Sequence, residues 1–406
     1  MKKIIALLIA VMMVVGLFAA CGESKPEVTE VTLKIWAPTE DQANENSWLQ
    51  TRLKAFETAH PNYKITWELG VCGEGDAANL VGTDPSAAGD IFMYANDQIG
   101  TLVEAGALAK LGGTYLDFVK NNYSATYSNS VTYKGEVYGF PMTCNTWFMY
   151  YNKKLVSDED VKSLEKLLEK GTVAFPMTTA WYNGAFFLGN GGTLFGEAGN
   201  DEAAGIQFGG EAGYAAAKKM VELMANPNFV NDADSKGNSG LKEGSVVAYF
   251  DGSWNYAGLY EVLGEDLGAV ALPTVNIGGK DVNMKSLAGS KVIGVNPNCK
   301  NQKVAMEVAA FLASEASQLA RYEMRGIIPA HKNLATNDSI AKDFVAVAEM
   351  NTMNNASSAQ PIIPEMSVYW DAVGNFGGNV VNKDVTLDNY QDMVDQLMNR
   401  LNASGI

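Results

Sequence analysis

The stretch from Tyr133 to Leu155 constrains this chain more than any other. Lys134-Gly135 is a turn pair between Tyr133 and Val137-Tyr138, so the stretch opens as a hairpin. At Gly139-Phe140-Pro141 the proline interrupts any regular ladder and stiffens the backbone. A dense aromatic strand follows, Trp147-Phe148-Met149-Tyr150-Tyr151, closed by Asn152-Lys153. A strand, a stiffened break and a second strand suit a chain crossing from one lobe to another. Met142–Asn145 is then the crossing, and part of the floor of a cleft. The same residues also fit a hairpin followed by an ordinary core strand.

The flanking sequence favours two α/β lobes. A chain of 406 residues, 47% of them hydrophobic, can bury more core than one small domain needs. Val31–Trp36 alternates apolar and polar residues as a strand does. Leu49, Leu53 and Phe56 then recur at helical spacing, and Lys64–Leu69 is a second strand. That order implies a parallel pair joined by a crossover helix. Further on, Ile91–Tyr94, Val173–Phe175, Ser245–Phe250 and Gly268–Pro273 read as strands, and Leu287–Val295 as a return path. Lys303–Arg325 is expected to be one long helix.

The first residues carry an address. Lys2-Lys3 precede an apolar run, Ile4–Phe18, too short for the roughly 20 residues a membrane-spanning helix needs. A secretory signal over residues 1–20 is the expectation. Ala19-Ala20-Cys21 resembles the lipobox of bacterial lipoproteins, which implies lipidation of Cys21. Phe18 departs from the usual leucine of that motif. Residues 21–30 read as a polar tether.

Charge and cysteine usage exclude several classes. The formal net charge is −16, and removal of Lys2 and Lys3 with the signal deepens it, which argues against nucleic acid. With Cys21 assigned to the lipid, Cys72, Cys144 and Cys299 remain, widely spaced and without a metal pattern. Buried free thiols are expected, although one disulfide is compatible with the spacing. His60 and His331 are the only histidines, so little material exists for histidine-based metal or nucleophilic chemistry. No cofactor is expected.

Aromatic residues at strand ends carry the functional signal. Trp254 follows a strand through Asp251-Gly252-Ser253, and Trp181-Tyr182 lies just beyond Val173–Phe175. Open α/β sheets place ligands at the carboxyl ends of their strands. Gly189-Asn190-Gly191-Gly192 lacks the lysine and spacing of a phosphate loop and reads as a turn.

Six segments resemble, in order, the solute-binding proteins of bacterial ABC sugar importers, the maltose/maltodextrin-binding family above all. They are Leu33–Pro38, Gly89–Asp97, Tyr133–Leu155, Phe250–Trp254, Leu287–Asn296 and Pro364–Trp370. The resemblance implies a type II periplasmic-binding-protein-like α/β fold, with a ligand cleft between two lobes joined by three hinge crossings. It implies crossings near Thr143, Leu287 and Thr336. The first lobe is then 31–143 plus 288–335, and the second 144–287 plus 336–406. It further implies a lipid-anchored, monomeric extracellular protein that delivers maltotriose and longer maltodextrins to the permease subunits of an importer.

Sugar recognition combines aromatic faces, which stack on pyranose rings, with carboxylates and amides that bind ring hydroxyls. Carried over by position, Tyr94, Trp181, Trp254 and Trp370 fall where the family has stacking aromatics. Glu40, Asp41 and Asp97 fall on polar positions of the first lobe, and Asn145 beside the first crossing. Taken singly, each aromatic also suits a core site, Asp97 a helix cap, and Glu40-Asp41 a solvated loop. Gln98, Asn145, Thr179 and Gly374 replace charged residues of the maltose binder, so weight shifts to stacking. Two alternatives stay open: a binder of a different oligosaccharide, and a glycoside hydrolase pairing Asp97 with Glu40 or Asp41.

Overall fold

A computed structural model describes residues 28–196 and 199–402; the signal segment, Cys21 and most of the tether lie outside them. Two α/β lobes form, each around its own sheet. In the first, β1 (Thr29–Ala37), β2 (Tyr63–Val71) and β3 (Ile91–Ala95) run parallel. The β1 alternation buries Val31, Leu33, Ile35 and Ala37 on one face. Crossover helix α1 (Trp48–Ala59) covers that sheet with Trp48, Leu49, Leu53 and Phe56.

The hairpin forms around Lys134-Gly135, both at positive φ, with Thr132–Tyr133 paired to Glu136–Val137. Beyond it β4 (Phe140–Asn145) belongs to the first sheet and β5 (Phe148–Asn152) to the second. The step between sheets therefore falls at Thr146-Trp147, just past the expected Met142–Asn145. Gly139, at φ +119°, is obligatory on the approach: a Cβ there would meet the Ile293 carbonyl at 2.8 Å.

The second sheet adds β6 (Val173–Phe175), β7 (Phe229–Asn231), β8 (Ala248–Asp251) and β9 (Leu267–Val270), in the order β7-β6-β8-β5-β9. Its strand β5 is antiparallel to both neighbours. Helix α2 (Ala180–Gly189) leaves the carboxyl side of β6. The long strand β10 (Ser286–Val295) then re-enters the first sheet, antiparallel to β3 and β4. This is the second crossing.

The expected helix over Lys303–Arg325 is two helices, α3 (Gln302–Leu312) and α4 (Glu315–Arg325). Ser314 separates them because its side chain accepts from the Ser317 N–H and caps α4. After α4 the chain crosses a third time to α5 (Phe344–Asn355), which packs on β9. Strand β11 (Ser357–Ala359) pairs with the start of β10, and α6 (Ser367–Val381) packs against α2. Cys72, Cys144 and Cys299 are buried, unpaired thiols.

Candidate functional site: a cleft between the lobes

The segments that follow β1, β3, β6 and β8 all face one cleft, as the carboxyl ends of open-sheet strands should. Two adjoining cavities, about 500 Å³ and about 360 Å³, share Asn145, Trp181 and Lys291. Asp97, Gln98, Gln360 and Trp370 line the larger; Glu40, Arg321, Trp254 and Glu349 line the smaller.

Three tryptophans form the apolar surface of this cleft. Trp181 lies in the first turn of α2, where the Trp147 indole N–H donates to its carbonyl at 2.9 Å. One residue earlier, the Tyr369 hydroxyl donates to the Ala180 carbonyl at 2.9 Å. The platform is thus fixed from the crossing on one side and from α6 on the other. Trp254 sits in the Ser253–Asn255 turn after β8, and its ring stacks on Trp181 at 5.8 Å and 26°. That ring lies over Gly252, whose added Cβ would meet it at 2.0 Å. The Asp251 carboxylate holds the turn by accepting from the Gly252 N–H at 2.8 Å and from the Asn255 amide. Trp254 is 45% exposed, unusual for so large an apolar ring, and so is available to a ligand. Trp370, on α6, lines the other end of the cleft.

Polar groups surround these rings. Asp97 follows β3 in the turn Asn96–Gln98. Burial raises its pKa, and the nearby Lys291 ammonium opposes that rise. Gln360 is buried beside it, and its Oε1 has no partner among the described residues. Asn145 ends β4 at the floor shared by both cavities. Glu40 is exposed at the rim of the smaller cavity.

Two expected ligand residues are not presented to the cleft. Tyr94 is fully buried inside β3, and its hydroxyl donates to the Tyr138 carbonyl, so it packs the core and has no free face. Asp41 is likewise fully buried. Its carboxylate accepts from Arg321 at 2.6 and 3.2 Å and from Arg325 at 2.6 Å. Burial alone would raise the Asp41 pKa, but the two guanidinium groups outweigh it and hold the pKa down. Glu40, Asp97, Asn145, Trp181, Trp254 and Trp370 do converge. Gln98 faces the cavity yet is spoken for, since its Oε1 accepts from the Ala78 N–H at 2.6 Å.

Sequence reasoning missed Lys291, Gln360, Arg321 and Glu349. Lys291 could have been found as the polar residue inside the apolar return strand. Gln360 and Glu349 lie in segments with no strand-end signal.

Two α/β lobes around a tryptophan-lined cleft, joined by three crossings, define a two-lobed solute receptor rather than a single-domain binder. The chain belongs to the bacterial extracellular solute-binding protein family, whose model matches residues 51–348. It is 27% identical to the galactooligosaccharide-binding protein of Bacillus subtilis, over 87% of this chain and 86% of the relative. It is 26% identical to the maltooligosaccharide ABC transporter solute-binding lipoprotein of Streptococcus pneumoniae, over 88% of each chain. A solved structure described as being with acarbose is 47% identical, with TM-score 0.89 over 93% of this chain and all of that one.

Proposed function

We propose that this protein captures α-glucan oligosaccharides, maltotriose and longer maltodextrins, and delivers them to the permease of an ABC importer. The observation that carries the reading is the convergence of Trp181, Trp254 and Trp370 on one cleft. Stacked sugar faces need such rings spaced along a trough, while Asp97, Lys291, Asn145 and Gln360 supply the hydroxyl contacts. The maltooligosaccharide-binding relative supports the choice of sugar.

In this reading the two lobes, one around each sheet, close over the ligand. Ligand drives closure only through its greater affinity for the closed form, which the permease then recognises. Cys21 carries the lipid that holds a monomeric protein to the outer face of the cell membrane. The cleft binds and releases sugar without cleaving it.

A second reading rests on the galactooligosaccharide-binding relative: the same platform would take a galactooligosaccharide. Calorimetry of the purified protein with maltose, maltotriose, maltotetraose and galactooligosaccharides separates the two. Binding to maltotriose and longer chains, with a tryptophan fluorescence change and no released glucose, supports the proposal. A response confined to galactooligosaccharides would overturn it in favour of the second reading. Glucose release would instead revive a hydrolase.

A further inference from the structure

Together with Trp254, the smaller cavity is lined by a carboxyl group that neither sequence position nor the stacking platform explains. Glu349, on α5, is 1% exposed and lines the cavity together with Ser253 and Trp254. Its Oε2 has no hydrogen-bond partner among the described residues. Facing the carboxyl are the Ser253 hydroxyl, the Cys144 thiol and the Thr146 N–H, with the Asp343 carboxylate farther off. A buried, unpartnered oxygen costs on the order of 1–3 kcal/mol, so a fold that only needed to fill this space would place an apolar side chain there.

We propose that Glu349 is a specificity-determining residue of the cleft, whose carboxyl group hydrogen-bonds a hydroxyl of the sugar ring seated on Trp254. This deepens the oligosaccharide reading above and rests on it. Three features of the site agree. The carboxyl is carried on a helix that packs on the second sheet but faces Cys144 and Thr146, so it lies beside the first crossing. Ser253 links it directly to the turn that carries Trp254. Burial pushes its pKa up to about 8, so at neutral pH it is an acid able to donate as well as accept. A sugar hydroxyl, itself donor and acceptor, matches such a group in either direction.

The test compares E349Q with the apolar variants E349L and E349M at about pH 6, where the native carboxyl is neutral. The purified parent is first titrated with the α-glucan and galactooligosaccharide panel, and the variants with whichever oligosaccharide it binds. Loss of one ligand hydrogen bond predicts about tenfold weaker binding by E349L and E349M. Their melting temperatures should equal or exceed the parent's, because a buried carboxyl with one unpartnered oxygen has been removed. E349Q, which keeps both donor and acceptor, should stay within about threefold of the parent. Affinity and stability thus move apart, which a purely structural role would not produce.

Apolar variants that bind as tightly as the parent would overturn the proposal, and would assign the free oxygen to a buried water. Failure of both apolar variants to fold would overturn it as well, by assigning Glu349 to the fold. A parent that binds only galactooligosaccharides removes the α-glucan reading but leaves this comparison intact. A parent that binds no oligosaccharide overturns both.

Discussion

Trp147, the residue at which the chain leaves the first sheet, donates its indole N–H to the carbonyl of Trp181 at 2.9 Å. Crossing and binding platform are thereby one mechanical unit. The Trp147 ring is itself fully buried against Phe175, Tyr182 and Phe250. Trp147→Phe keeps an aromatic ring but loses the indole bond to the Trp181 carbonyl and leaves a small void beside it. The expected cost is about 1–3 kcal/mol, read from the denaturant midpoint at unchanged m. Oligosaccharide affinity should fall with it, because Trp181 loses its fixed orientation. Unaltered affinity in a destabilised variant would separate the crossing from the platform.

Trp254 and Trp370 should behave differently from Trp147. Trp254 is 45% exposed, so Trp254→Ala should leave the melting temperature nearly unchanged. Stacking is worth about 0.5–1.5 kcal/mol beyond area, so calorimetry should show roughly a tenfold or greater loss for either tryptophan. Gly252→Ala tests the same ring indirectly. Its Cβ would sit 2.0 Å from the Trp254 ring and must displace it, so affinity should drop although no cleft residue changed.

Asp41 makes the opposite prediction, a large effect on stability. Asp41→Asn leaves Arg321, 3% exposed, without its main counter-ion. Breaking such a buried pair costs about 3–5 kcal/mol, measurable by chemical denaturation. The native pKa of Asp41 is depressed, so its contribution is present above the usual carboxylate range and is lost as pH falls through the depressed value. The stability gap between the parent and Asp41→Asn should therefore narrow on acidification.

Glu349 reverses that sign. An unfolded chain releases this proton near 4.5, whereas the folded protein keeps it up to about 8. Between those values the folded state binds more protons, so stability falls as pH rises. Glu349→Gln removes the titration. Parent and variant should match in stability at about pH 5 and diverge by about pH 8, with the variant the more stable by a few kcal/mol. Parallel curves across that range would show that the carboxyl does not stay protonated.

Much of the architecture was legible because it rests on local periodicity. The alternation of Val31, Leu33 and Ile35, the spacing of Leu49, Leu53 and Phe56, and the turn at Lys134-Gly135 are each set by neighbours within a few residues. Strand ends then located Trp181 and Trp254, because an open parallel sheet leaves its carboxyl edge free. The break at Ser314 escaped because the apolar pattern runs through it, and a cap competes with that pattern only through one side-chain hydrogen bond.

Burial and distant pairing were decided by the tertiary structure alone. Asp41 and Glu40 are adjacent in sequence, yet one is enclosed by Arg321, 280 residues away, while the other stays at the rim. Nothing local separates them, since desolvation and Coulomb pairing depend on what the fold brings alongside. Tyr94 was misplaced for the same reason: its strand is covered on both faces, so its ring meets protein instead of sugar. Gln360 and Glu349 join the cleft only because the third crossing carries their segments back to it. The sequence determined the elements and the edge at which a ligand would sit; packing decided which side chains remain free to meet it.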